Sequence, residues 1–329
     1  MPVSGSLPSG HPSWKVLVTD HPWPDVEVER SILATVPAEL IVPAASDVAT
    51  LAAAARDVDA IMTCWAKVPE AVLGASGRCR IVARMGVGLD NIDVGAATAR
   101  NILVTNVPDY CTEEVAEHAL AMLLALARKV AFYHYESKSG RYDLNAGPPL
   151  RRVAGKTLGI VGLGKIGRRM AAKAAAVGLR VLAADPQPGL PMPEVTRCDL
   201  AELLRQSDFV SLHLPLTPAT RHLIGAEQLR QMKPGAYLIN TARGALVDTE
   251  ALAAALASGG LAGAALDVQE TEPPELNRAP YNDPRVIVTP HASFLSEESL
   301  LELRQRVARQ VADALAGRRP PNVVNPEVL

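Results

Sequence analysis

The sequence predicts an α/β fold of two doubly wound parallel-sheet domains with a cleft between them. Three observations lead there. Short β-rich runs alternate with helical runs twice along the chain, and such alternation builds parallel sheets with crossover helices. A loop rich in Pro and Gly, "NAGPPLRRVAGK", separates the two series. The 329 residues exceed what one hydrophobic core usually serves. Hydrophobic residues make up 48% of the chain and aromatics only 4%, with abundant alanine, which favours helix-rich α/β packing over an all-β fold.

In the first series "WKVLVTD" reads as a strand, and "SDVATLAAAARDVD" as a helix opened by a Ser46/Asp47 cap. "AIMTCW", "CRIVARMG" and "NILVTNVP" read as further strands. A long helical pattern follows from Thr112 to Glu136, with Thr112, Glu113 and Glu114 as its cap region. The second series opens with the strand "TLGIVGLG", the helix "KIGRRMAAKAAAVG" and the strand "LRVLAADP". The strands "DFVSLHLP", "AYLINTA", "LAGAALDV" and "RVIVTP" complete it. "SEESLLELRQRVARQVADALAG" closes the chain as an amphipathic helix with a Ser cap.

Composition narrows the function. The net charge is −2 and there is no long basic run, which argues against a nucleic-acid partner. Cys64, Cys79, Cys111 and Cys198 are scattered without a C-x-x-C pair, so neither a metal site nor a disulfide framework is expected. The first 14 residues lack a basic stretch followed by an apolar one and read as a flexible tail rather than a signal peptide. The longest apolar window, "HALAMLLALARKVAFY", is interrupted by charge and too short to span a bilayer. These features predict a cytoplasmic protein with no membrane partner.

Gly162, Gly164 and Gly167 stand in G-x-G-x-x-G spacing, between an apolar strand and the helix opened by Lys165 and Ile166. The first glycine allows a tight turn, the second a close approach of backbone to a pyrophosphate, and the third helix–strand contact. The amino end of the helix then presents N–H groups to phosphate. Asp185 ends the next strand, 23 residues after Gly162. A carboxylate there accepts hydrogen bonds from the adenosine ribose and repels a 2′-phosphate, which predicts NAD over NADP.

Arg243, Glu272 and His291 follow three later strands and can converge over a nicotinamide. The residue types suit oxidation of a 2-hydroxy acid or its reverse. An imidazole exchanges the hydroxyl proton near neutral pH. A carboxylate steadies the imidazolium. A guanidinium forks onto a carboxylate or carbonyl oxygen.

"VGLGKIGRRM", "HLPLTPATRHLIG", "LINTARGALVD", "GAALDVQETEPP" and "TPHASF" together resemble the D-isomer-specific 2-hydroxyacid dehydrogenases, from about Lys15 to Val324. The resemblance implies Arg243, Glu272 and His291 as the catalytic trio. It implies Asp267 near the nicotinamide carboxamide, and Thr241, Ala242, Arg243 and the "HLPL" residues His213, Leu214 and Pro215 along the nicotinamide ribose, with Thr220 in the same motif. It implies a discontinuous, flavodoxin-like substrate-binding domain (1–108 with 296–329), a Rossmann domain for NAD (109–295), and a homodimer through the cofactor domains. The helix predicted from Thr112 is the candidate interface element. Backbone amides near Val87 and Gly88 would hold the substrate carboxylate.

Within the family the chain is similar to the branch holding phosphoglycerate dehydrogenases and the C-terminal-binding-protein corepressors. Where the phosphoglycerate enzymes carry an "RSAT"-like loop this chain has "TCWAK", which removes a phosphate-binding Arg and places Trp65 where it can line a substrate pocket. No regulatory domain is expected after the last helix. Two readings follow: an NAD(H)-dependent 2-oxo acid reductase, with 3-phosphoglycerate dehydrogenase as a variant of it, or an NAD(H)-gated binding protein similar to the corepressors.

Overall fold

The computed structural model describes residues 13–148, 150, 152–187, 189 and 191–329. The expected amino-terminal tail lies almost wholly outside these, as do Pro149 and Arg151 of the loop between the two series. The chain forms two compact units, residues up to 110 with 296–329, and 111–295.

The first unit holds β1 (Trp14–Val18), β2 (Ala38–Ile41), β3 (Ala60–Thr63), β4 (Ile81–Arg84) and β5 (Leu103–Thr105). They form one parallel sheet in the order β2-β1-β3-β4-β5, a flavodoxin-like winding. Every residue of β3 and β4 is buried, as expected where helices cover both faces of a parallel sheet. Asp47 caps the helix Val48–Ala54 through the Thr50 N–H. The last helix, Glu297–Leu315, belongs to this unit. It buries Leu303, Val307 and Val311, and its Arg304 grips the buried Glu29 carboxylate with two bonds of 2.8 Å. Gln310 accepts the Thr105 hydroxyl at 2.9 Å and donates to Asn106 O at 2.9 Å.

The second unit holds β6 (Thr157–Val161), β7 (Arg180–Ala184), β8 (Val195–Arg197), β9 (Phe209–Leu212), β10 (Ala236–Asn240), β11 (Leu261–Leu266) and β12 (Val286–Val288). All seven are parallel, in the order β12-β11-β10-β9-β6-β7-β8. The winding reverses between β6 and β9. A parallel sheet of this kind receives ligands there, beyond the carboxyl ends of its strands.

Two expectations are corrected. The helix predicted over 112–136 is two helices, Thr112–Arg128 and Val130–Lys138. Lys129 takes a left-handed backbone (φ 54°, ψ 34°) and ends the first of them. The N-cap of that first helix is Cys111, without a side-chain cap, while Glu113 pairs with Lys173 at 2.9 Å and with Arg169. None of the four cysteines is in a disulfide, and burial pushes the Cys64 and Cys79 thiols up to about 12. Among the described residues no helix is long and apolar enough to cross a membrane, and no cluster of His, Cys, Asp and Glu could hold a metal.

Candidate active site

Every candidate residue of the second unit follows the carboxyl end of a strand, so all share one edge of the sheet. The glycine loop leaves β6. Gly162 has φ +93°, and a Cβ there would sit 2.5 Å from His213 O, so the loops after β6 and β9 touch at the winding reversal. Gly167 packs against Gly162 O, where a Cβ would come to 2.1 Å. At Gly164 a Cβ would meet nothing within 4 Å; it would occupy the space in front of the helix Lys165–Ala176. Its N-cap, Gly164, has no side chain to cap it, and the N–H groups of a first helical turn have no intrahelical acceptor. Gly164 and Lys165 are exposed and Ile166 half-buried. These are the properties of a phosphate cradle.

Asp185 follows β7 and accepts the Leu163 N–H at 2.6 Å and the Gln187 N–H at 2.7 Å. Its carboxylate is thereby fixed beside the glycine loop, with lone pairs left for further donors. After β9 the His213 ring bonds Ser211 Oγ at 2.8 Å, and burial lowers its imidazole to about 4. Leu214 borders Gly162, and Thr220 Oγ1 holds the exposed Pro215 turn by donating to its carbonyl at 2.8 Å.

After β10, the buried Asn240 accepts Ala242 N–H at 3.0 Å and donates to Arg243 O at 2.8 Å, folding Thr241–Arg243 into a tight loop. Among the described residues the buried Thr241 Oγ1 has no hydrogen-bond partner. A buried hydroxyl in that state suits a ligand that supplies the bond. Together with the Gly164 cradle it makes the site fit a dinucleotide. Arg243 donates to Ala242 O at 2.7 Å. Gly244 then presses on the loop after β11, where a Cβ would lie 1.9 Å from the Gln269 carbonyl carbon. This contact carries Arg243 close enough to Glu272 for its charge to act on that carboxyl.

His291 Nδ1 lies 2.8 Å from Glu272 Oε2, and Glu272 Oε1 accepts the Gln269 N–H at 3.0 Å. Burial pushes the Glu272 carboxyl up. The His291 bond and charge, the Gln269 N–H and the Arg243 charge outweigh burial and hold it below its ordinary value. Glu272 is therefore an anion beside the imidazole. Arg243, Glu272 and His291 are thus brought together from three strands.

His291 has φ +53°, uncommon without a glycine, so it must be held there. The holder is Asp267, fully buried at the end of β11. Its carbonyl accepts the His291 N–H at 2.8 Å. Its carboxylate accepts the Thr289 hydroxyl at 2.5 Å, the Ala292 N–H at 2.8 Å and the Ser293 N–H at 2.9 Å. Burial alone would raise this carboxyl; these bonds from Thr289, Ser293 and Ala292 bring it below its ordinary value. Sequence reasoning missed one member. His118 Nε2 lies 3.1 Å from Thr289 Oγ1. The Thr289 hydrogen goes to Asp267, so His118 Nε2 must be the donor. A histidine in an otherwise apolar helical run was the available signal.

In the first unit, Asp20 accepts the N–H groups of Cys64, Trp65 and Ala66 at 3.0, 2.7 and 3.1 Å, fixing the loop after β3. The Trp65 side chain is exposed there. Val87 and Gly88 follow β4, half-buried; Asn106 donates to Val87 O at 2.7 Å. Neither of their N–H groups bonds within the described residues.

Residues 120–293 match the family model described as "D-isomer specific 2-hydroxyacid dehydrogenase, NAD binding domain". A glyoxylate reductase of Korarchaeum cryptofilum is 42% identical over 286 residues, which is 83% of this chain and 85% of that protein. The D-lactate dehydrogenase of Aquifex aeolicus, solved with NAD and lactic acid, superposes with a TM-score of 0.85 at 29% identity, covering 94% of this chain and 99% of that one. An NADPH-dependent glyoxylate/hydroxypyruvate reductase of Sinorhizobium meliloti, solved with NADP and malonate, gives 0.85 at 30% identity, covering 96% and 98%. The chain belongs to the D-isomer specific 2-hydroxyacid dehydrogenase family, oxidoreductases built on two parallel-sheet α/β domains.

Proposed function

We propose that this protein reduces a small 2-oxo acid with NADH, with His291 as the proton donor. The observation that carries the reading is the 2.8 Å His291–Glu272 pair, beside Arg243 on the same sheet edge as the glycine cradle. When bound, the cofactor supplies the hydride to carbon 2. His291, its Nδ1 engaged by Glu272, gives the proton to the carbonyl oxygen from Nε2. Glu272 steadies the imidazolium and fixes the ring plane. The Arg243 guanidinium binds the carboxylate or carbonyl oxygen. Val87 and Gly88 are our candidates for further carboxylate donors, because their N–H groups are not engaged elsewhere.

Gly162, Gly164, Lys165, Ile166 and Gly167 are assigned to the pyrophosphate, and Asp185 to the adenosine ribose. Thr241, Ala242, His213, Leu214, Pro215 and Thr220 are assigned to the nicotinamide half. NAD over NADP rests on the fixed Asp185 carboxylate, which would repel a 2′-phosphate. Asp267 is assigned beside the carboxamide, with its carboxylate also organising the His291 loop. We assign substrate binding to 1–108 with 296–329 and NAD binding to 109–295. The glyoxylate reductase relatives support a short 2-oxo acid, and "TCWAK", without the Arg of an "RSAT"-like loop, disfavours 3-phosphoglycerate. Trp65 is the candidate wall of the substrate pocket. A cytoplasmic homodimer through the 112–128 helix completes the reading; the outward Val130 and Tyr135 just beyond it support such an interface.

The test is NADH oxidation against glyoxylate, pyruvate, hydroxypyruvate, phenylpyruvate and branched-chain oxo acids, with 3-phosphoglycerate and NAD in reverse. One preferred oxo acid supports the reductase. Tight NADH binding without any turnover supports the gated binding protein instead.

A further inference from the structure

The opposite edge of the second unit's sheet, at the amino ends of its strands, holds a cavity of about 410 Å³. A cavity of that size is in the range of small-molecule sites. Four cations line it from three separate segments: Lys129 between the two helices, Arg152 and Lys156 before β6, and Arg285 before β12. The single lining carboxylate, Asp208, is already bound to Lys233 at 2.8 Å and to the Thr157 N–H at 2.9 Å. Arg285 is paired with Asp283 at 2.6 Å. Among the described residues, Lys129, Arg152 and Lys156 have no ion-pair partner. Lys156 lies close enough to Asp208 for its charge to act on that carboxyl, so the four lining cations outnumber the one lining carboxylate and the cavity is left net positive.

Lys129 is the telling member. Its ammonium lies 5.0 Å over the Tyr237 ring, and that ring stacks on Phe209 at 5.4 Å and 13°. Its backbone is left-handed, a conformation that costs free energy for any residue but glycine. Burial lowers its ammonium below the ordinary value, and the Arg285 charge lowers it further. A half-buried cation facing other cations is stabilised when an anion joins it. Nothing in the proposed reductase chemistry uses this edge, since every assigned catalytic and cofactor group of this unit lies at the other end of the strands.

We propose that this cavity is a binding site for a small polyanion bearing at least two phosphate or carboxylate groups, held by Lys129, Arg152 and Lys156 and separate from the dinucleotide cradle. The ammonium and guanidinium groups come from separate chain segments, one after the 112–128 helix and one before β6, and three cations suit a ligand with more than one anionic group. The flanking Tyr237–Phe209 stack gives the cavity an apolar wall.

The experiment is calorimetric titration of the NADH-saturated protein at low ionic strength, with inorganic pyrophosphate in one arm and citrate in the other. Saturation with NADH keeps the glycine cradle filled. The expected result is one saturable site per chain for at least one of the probes, with the favoured arm telling phosphate from carboxylate. Lys129→Gly keeps the left-handed backbone and removes the ammonium; Lys156→Met removes a second charge on a different segment. Each should weaken binding about tenfold or more, while the exposed Lys138→Met should leave it unchanged. No saturable heat in either arm overturns the proposal. So does undiminished affinity in both Lys129→Gly and Lys156→Met, or a site that disappears on raising NADH, which would mean that the probe had been reading the cradle.

Discussion

Asp267 holds the His291 loop by four hydrogen bonds: its carbonyl takes the His291 N–H at 2.8 Å, while its carboxylate takes the Thr289 hydroxyl and the N–H groups of Ala292 and Ser293. The imidazole therefore sits on a strained backbone residue fastened on either side to one buried anion. Positioning of this kind is worth large factors in rate, because a displacement of about 1 Å can cost about 100-fold.

His118 should be part of that fastening. His118→Leu removes the donor to Thr289, and kcat should fall about tenfold while the NADH Kd stays within about twofold. Gln places its amide nitrogen the same number of bonds from the backbone as Nε2, so His118→Gln should recover most of the rate; His118→Asn should not. Steady-state kinetics with a fluorescence titration of NADH decides it. Equal kcat in the Leu variant and the parent would remove His118 from the account.

Gly244 makes the contact between the loops that carry Arg243 and Glu272. In Gly244→Ala the new Cβ would meet Gln269 backbone, which cannot rotate away as a side chain can. Overpacking of this kind costs about 1–3 kcal/mol. Thermal unfolding should begin several degrees lower, with kcat reduced out of proportion because Arg243 moves. An unchanged Tm would show that the two loops are less tightly engaged than this contact implies.

His213 supplies a pH dependence. Burial disfavours the charged ring and lowers its pKa to about 4 in the folded chain, from an ordinary value of 6.5. Between those values the unfolded chain takes up a proton that the folded chain refuses. Its contribution to stability is present above about 6.5 and is lost as pH falls towards 4. His213→Asn should flatten the acid-side fall in Tm over that window. A fall as steep in the variant as in the parent would contradict the burial argument.

Asp185→Ser should raise the relative use of NADPH, with the NADH-to-NADPH ratio of kcat/KM falling about tenfold or more. If the parent already uses both cofactors equally, Asp185 is not the discriminator, whatever its geometry.

The strongly buried parts of this fold were legible because their signals are local. β3, β4, β6 and β9 are short apolar runs between turn residues, and the glycine spacing lies within six residues. The edge strands β2 and β8 were missed: β2 has no fully buried residue and carries the exposed Glu39, and two of the three residues of β8 are exposed, so neither reads as a buried run. The break at Lys129 was invisible because lysine gives no sign of a left-handed backbone. His118 was missed for another reason. Its partner Thr289 lies 171 residues away, and only packing of the 112–128 helix against the sheet brings the two together. Arg243, Glu272 and His291 could be picked out because each follows an apolar strand of a parallel series. Their mutual distances depend on loop contacts, such as Gly244 on Gln269, that no pattern reveals.

The central claim is that His291 moves the proton. The direct measurement is kcat of His291→Ala with NADH and the best oxo acid of the panel, alongside the NADH Kd of the same variant. Loss of the general acid should lower kcat by about 100-fold or more, with the Kd within about twofold of the parent. Turnover close to that of the parent would contradict the claim and leave the His291–Glu272 pair a structural feature of the loop.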